Sequence, residues 1–97
     1  MSAGYVIAQL KVTNPKNYKE YVNKVPDVIN KYGGEYLARG GEYQVVEGDD
    51  NFPRIIIIKF PTYEKALEWY HSDEYKPVKA IRLNNSEGSN IIVKGLW

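Results

Sequence analysis

The chain has 97 residues, thirteen basic and twelve acidic side chains, and a formal charge of +1, which is the length of one domain spanning 1–97. No run of like charge exceeds two residues, which argues against a nucleic-acid footprint or a membrane-surface helix. Cysteine is absent, which excludes disulfides, thiolate catalysis, iron–sulfur clusters and Cys-ligated zinc within these residues.

The opening residues, MSAGYVIAQLKV, lack the basic and long apolar regions of a secretory signal, so a cytoplasmic location is expected. Tyr5 to Val12 then alternates, with Val6, Ala8, Leu10 and Val12 on one face, and reads as a first strand. Asn14-Pro15 is a helix start, Asn as cap and Pro at the first helical position. Tyr18, Tyr21, Val22 and Val25 follow at helical spacing, and Val28, Ile29 and Tyr32 carry the apolar face onward. Pro26 removes a donor between them, so a kink or restart is expected there. Gly33 is placed to end the helix in a left-handed conformation.

Glu35 to Ala38 and Tyr43 to Gly48 read as strand, interrupted by Arg39-Gly40-Gly41, where a bulge or a positive φ is expected. Gly48 to Asn51 is a turn. The run RIIIIKF from Arg54 to Phe60 is too short for a membrane span and rich in β-branched residues, which makes it a buried central strand. Thr62 caps a helix to His71, whose apolar face is Tyr63, Ala66, Leu67 and Tyr70. Lys76-Pro77 begins a short further helix with Val78, Ile81 and Leu83 inward. Asn84 to Gly88 is a loop, and Ser89 to Leu96 is the last strand.

The order β-α-β-β-α-β is that of an α+β, ferredoxin-like split βαβ fold, an antiparallel sheet with its helices on one face. The other face should then be polar in a monomer. Instead the central strand is apolar on both sides, Ile56 and Ile58 against Ile55 and Ile57, and the last strand sets Ile91 and Val93 against Ile92. A second copy packing sheet to sheet is the expected cover, with Ile56 and Ile58 as its interface residues. The alternative is that C-terminal residues fold over the face within one chain.

Taken together, these pieces resemble a bacterial family known only as domain of unknown function 1330, in the dimeric α/β-barrel group of ferredoxin-like folds. The resemblance runs through Tyr32-Gly33-Gly34, Arg39-Gly40-Gly41, Glu47-Gly48, Arg54 to Phe60, Ala66, Trp69-Tyr70, Ser72, Glu74-Tyr75, Arg82 and Gly95. His71 stands where that family varies, and Asp73 replaces a frequent proline. The family has no assigned reaction. Related barrels include cofactor-independent oxygenases, haem-degrading enzymes, muconolactone isomerases and ligand-binding stress proteins, so the resemblance implies a homodimer with a small-molecule cavity between sheet and helices.

Chemistry-bearing residues are few. All three arginines, against ten lysines, fall at the positions just named. Arginine is favoured where a planar fork must pair a carboxylate or phosphate in a partly buried place. Arg39 and Arg54 are therefore candidates for holding a small anion; the alternative is internal pairing with Glu47 or Glu74. Trp69, Tyr70, Tyr75 and Tyr43 could wall a pocket for a flat ligand, or be core. His71, the single histidine, is a candidate general base, or a cation at a helix C-terminus. One histidine beside two carboxylates is too few for a metal site. The glycine pairs lack the pattern of a phosphate loop, and Ile55 to Ile58 replace the exposed aromatics an RNA-recognition sheet would need. Two functions are expected of such a chain: a cofactor-independent enzyme acting on a small aromatic or anionic metabolite, or a non-catalytic ligand-binding or stress-related module.

Overall fold

A computed structural model describes residues 2–97. β1 (Gly4–Val12) is the strand around which the sheet is built. It pairs antiparallel with β3 (Arg54–Phe60) on one side and β4 (Ser86–Lys94) on the other. β2 (Glu35–Arg39) forms the edge beyond β3, so the four-stranded order is β2-β3-β1-β4. The fold is α+β and ferredoxin-like, an antiparallel open sheet with three helices. No described helix is long and apolar enough to cross a membrane.

The helices start and stop where the side chains dictate. Asn14 caps α1 (Pro15–Lys31), its Oδ1 accepting from the Asn17 amide at 3.2 Å. Pro26 lies inside α1, and the helix runs through it rather than restarting. Buried Tyr21, Val25 and Ile29 anchor both halves against the sheet, which offsets the one missing hydrogen bond. Gly33, at φ +83°, ends it: its amide donates to Asn30 and the Gly34 amide to Ile29, the two bonds of a Schellman turn. Thr62 caps α2 (Tyr63–Tyr70) by accepting from the Lys65 amide at 3.0 Å.

Four sequence expectations change. Tyr43 to Gly48 is not a strand. Both edges of β3 are already taken, by β2 and β1, so this stretch cannot pair with the central strand that follows it. The short helix before β4 is an eleven-residue α3 (Tyr75–Asn85). It starts earlier because the Ser72 hydroxyl accepts from the Tyr75 amide, and Pro77 falls within its first turn, where a missing donor costs nothing. The expected loop from Asn84 to Gly88 is absent: α3 runs into β4 at Ser86. The Asn85 amide group donates to the Ile81 carbonyl and the Ser86 hydroxyl to that of Arg82, ending the helix without a connection. On α3 it is Arg82 that turns inward, while Leu83 is exposed.

One core fills the space between sheet and helices. Val6, Ala8, Leu10, Ile56, Ile58 and Phe60 from the sheet meet Tyr21, Ile29, Trp69 and Tyr75 from the helices. The register Val6↔Ile58 and Ala8↔Ile56 puts those isoleucines under the helices. Ile56 and Ile58 are therefore core residues, and the open face belongs to Ile55 and Ile57, beside Tyr5, Ile7, Ile91 and Val93. The C-terminal residues do not fold over it. Gly95 and Trp97 continue the ladder to Ala3, and the Leu96 and Trp97 side chains are 83% and 82% exposed.

Candidate functional site

Arg54 opens β3 at the end of the sheet that faces the first turns of α1, and three hollows meet around it. The innermost is a cavity of about 10 Å³ lined by Tyr18, Tyr21, Tyr36, Arg39, Arg54 and Ile56 among others. Outside it, a groove of about 390 Å³ runs between Val12, Pro15, Tyr18, Lys19, Val22 and Arg54. A second groove of about 410 Å³, on the other side of Arg54, is bordered by Lys11, Gly40, Gly41 and Tyr43. Lys11, Lys19, Arg39 and Arg54 thus surround these hollows, and no carboxylate lines any of the three. The N-terminus of α1 adds its positive dipole end at Pro15.

The arginines are not neutralised by the protein. Among the described residues every ion pair uses a lysine; Glu74 pairs with Lys31 at 2.6 Å and accepts from Tyr32, not from an arginine. Arg54 lies over the Tyr18 ring at 5.8 Å, with its Nε buried and without a hydrogen-bond partner. The Tyr18 hydroxyl is likewise buried and unpartnered. Arg39 is exposed, over the Tyr36 ring at 4.9 Å. Deeper in, Arg82 is only 5% exposed, and its Nε and Nη2 have no partner. Tyr75, Tyr21 and Tyr70 are the phenols that act on its charge. The Tyr21 and Tyr75 hydroxyls bond to each other at 2.8 Å.

Gly40 holds this arrangement open. Its φ is +65°, as expected for the break after β2, and its amide donates to the Ile55 carbonyl. A Cβ there would stand 2.8 Å from Arg54 Nη1, whereas one at Gly41 would meet nothing. Gly40→Ala should therefore cost about 1–2 kcal/mol in backbone strain and displace the guanidinium, with Gly41→Ala as the silent control. Thermal melts and ligand titrations of the two variants check this.

The phenols are tuned by burial. Burial raises the Tyr18 pKa, with Arg54 opposing; burial, reinforced by Tyr75, raises that of Tyr21 far above the usual range; burial raises that of Tyr36, with Arg39 opposing. These groups favour the neutral phenol in the folded state. Their contribution to stability is intact below the unfolded value of about 10 and is lost as pH rises past it. Ultraviolet titration should show these three tyrosines still protonated when exposed ones have ionised, then released together on alkaline unfolding.

The sequence candidates separate into groups. Arg39 and Arg54 share the inner cavity, and Tyr43 shares a groove with Arg54, its hydroxyl donating to Asp50 at 2.7 Å. Trp69 and Tyr75 are fully buried in the core with ring centroids 4.3 Å apart. Tyr70 is half-buried under the Lys79 ammonium at 4.3 Å. His71 is exposed at the C-cap of α2, edge-on to Tyr70 at 5.2 Å, and lines none of the hollows at Arg54. Tyr18, Tyr21, Tyr36, Lys11, Lys19 and Arg82 join the site only through the fold. Tyr18 and Tyr21 carried a signal, polar phenols on the buried face of an amphipathic helix. No cluster of His, Asp or Glu among the described residues could hold a metal ion.

The fold and this end of it define an α+β, ferredoxin-like protein with an unpaired cationic mouth between its first helix and its sheet. The chain belongs to the DUF1330 family, a domain of unknown function whose model matches residues 3–96. No curated protein matches it in sequence. Among solved structures it is similar to a protein of unknown function from Rhodopseudomonas palustris, at 14% identity and a TM-score of 0.77 over 99% of this chain and 84% of that one. It is also similar to SnoaB, a cofactor-independent oxygenase from Streptomyces nogalater, at 7% identity and a TM-score of 0.67 over 100% and 96%. A conserved protein from Methanosarcina mazei matches at 18% identity and a TM-score of 0.59 over 98% and 94%. At these identities the likeness is one of fold.

Proposed function

We propose that the protein binds a small organic anion with a flat, apolar body in the groove between the start of α1 and Arg54. One observation carries this reading: Arg54 is partly buried without an acidic partner, amid hollows lined by four cations and no carboxylate. A buried guanidinium left unpaired is costly, and an anionic ligand removes that cost on binding. Val12, Pro15, Val22 and the Tyr18 ring supply the apolar walls. Arg54 and Lys19 supply the charge, Arg54 with the planar fork that suits a carboxylate.

A cofactor-independent reaction on such a ligand is the second reading, favoured by the buried hydroxyl pair Tyr21–Tyr75 beside Arg82, which could pass a proton. The oxygenase from Streptomyces nogalater lends it a likeness of fold only. His71 has no part in either reading. The protein also works as a homodimer in this proposal, joined through the open face that Ile55, Ile57, Ile91 and Val93 leave apolar.

Calorimetric titration with benzoate and related aromatic acids tests the site. Wild type should bind, and Arg54→Gln should weaken binding about tenfold or more, the loss of one charge-assisted pair. Equal binding by the two proteins would place the ligand elsewhere.

A further inference from the structure

The inner cavity and the outer groove differ in size by the amount that separates an atom from a ring. About 10 Å³ is room for one water-sized group, while the groove of about 390 Å³ takes a small aromatic body. Tyr18 and Arg54 line both. The cavity is polar in one sense only. Its walls carry Arg39, Arg54 and three tyrosines, and no carboxylate. Two polar atoms at Arg54 and Tyr18 lack partners, the buried Nε and the hydroxyl of a residue only 4% exposed. Behind them, Arg82 acts on both Tyr18 and Tyr21 and brings a further buried positive charge with no acid to answer it.

The geometry points to an oxyanion seat: the ligand of the outer groove carries a second oxygen, a phenol or enol, that enters the cavity beside Tyr18 and Arg54. The ligand class is then a hydroxyaryl or enolic carboxylic acid, rather than a plain aromatic acid. This inference rests on the reading of the groove given above and narrows it. The acid group pairs with Lys19 and Arg54 at the surface. The second oxygen accepts from the Tyr18 hydroxyl and from a guanidinium, in a place too small for the ring to follow. The surrounding cations favour that oxygen in its ionised form, because buried donors and positive charge stabilise the anion over the neutral group. A ligand lacking it leaves the seat's polar groups unmet, the condition under which discrimination is strongest.

The test compares benzoate with its three monohydroxy isomers by calorimetry, in wild type, Tyr18→Phe, Arg39→Gln and Arg54→Gln. At least one hydroxy isomer should bind wild type about tenfold tighter than benzoate, the worth of one such hydrogen bond. Tyr18→Phe should erase that advantage, so that the hydroxy isomers and benzoate bind this variant alike. The variant keeps the buried ring that packs in the core and removes only the hydroxyl, and circular dichroism checks that its fold is native. Arg39→Gln, at the rim of the same cavity, should cut the advantage several-fold and serves as an independent reading. Arg54→Gln should weaken every ligand. Hydroxy isomers that all bind like benzoate, or a Tyr18→Phe effect equal on both, would overturn the seat while leaving the groove standing. Binding of none of the four would overturn the groove and the seat with it.

Discussion

Ile58→Asp should not fold, and Ile57→Asp should fold as a monomer. The two residues are neighbours in one strand, but their side chains point to opposite faces. Ile58 pairs with Val6 across the sheet and is 4% exposed beneath the helices. Its burial is worth about 1.5–3 kcal/mol, and an unpaired carboxylate there costs several more. Together these are of the order of the whole stability of a small domain, about 5–15 kcal/mol. Ile57 pairs with Ile7 on the open face, next to Ile91, which is 55% exposed. A charge there disturbs only what packs on that face. Circular dichroism should show native structure for Ile57→Asp, and sedimentation should show half the mass of wild type. A dimeric Ile57→Asp protein would remove the open face from the assembly.

Arg82→Met should be at least as stable as wild type. Replacing a buried charged group by an apolar one of similar volume is commonly neutral or stabilising, by about 1–4 kcal/mol. Here the charge has no acid to lose, since no arginine forms an ion pair among the described residues. A gain of about 1 kcal/mol would raise the melting temperature by roughly 4–8 °C. The same variant should bind the ligand less well, because a site holding unmet charge is kept at the expense of stability. A loss of about 3 kcal/mol instead would make Arg82 a structural residue whose partners hold the core together.

The contrast between Ile57 and Ile58 also shows where sequence reading stops. Strand order, helix caps at Asn14 and Thr62, and the stop at Gly33 follow from local rules, and all three were legible. The face of β3 was not. Four consecutive isoleucines carry no polar marker of which side meets water, and only the pairing Ala8↔Ile56 decides it. Likewise Arg82 and Leu83 sit side by side, and an intrinsic preference would bury the leucine. The helix phase, fixed by a start at Tyr75, buries the arginine instead. Tyr43 to Val46 have strand composition, but β3, the strand that follows them, is already paired on both sides, a fact of topology rather than of the segment.

The site was half legible for the same reason. Arg39 and Arg54 stood out by residue type, and the structure lets them share a cavity. Trp69 and Tyr75 stood out as well, but lie fully buried in the core. Tyr18 and Tyr21 fit the buried face of an amphipathic helix, and nothing in the sequence marks their hydroxyls. Only their position opposite Arg54 and beneath Arg82 gives those hydroxyls a chemical meaning.

The measurement that bears most directly on the account is a nuclear magnetic resonance titration with an aromatic carboxylate, following the arginine Nε–H signals. The Arg54 signal should move first and furthest, together with backbone amides at Pro15's neighbours Lys16 and Asn17 and at Lys19. Saturation should coincide with the calorimetric affinity. An Arg54 signal that stays fixed while signals around His71 or Lys79 shift would contradict the account and move the site to the far side of α2.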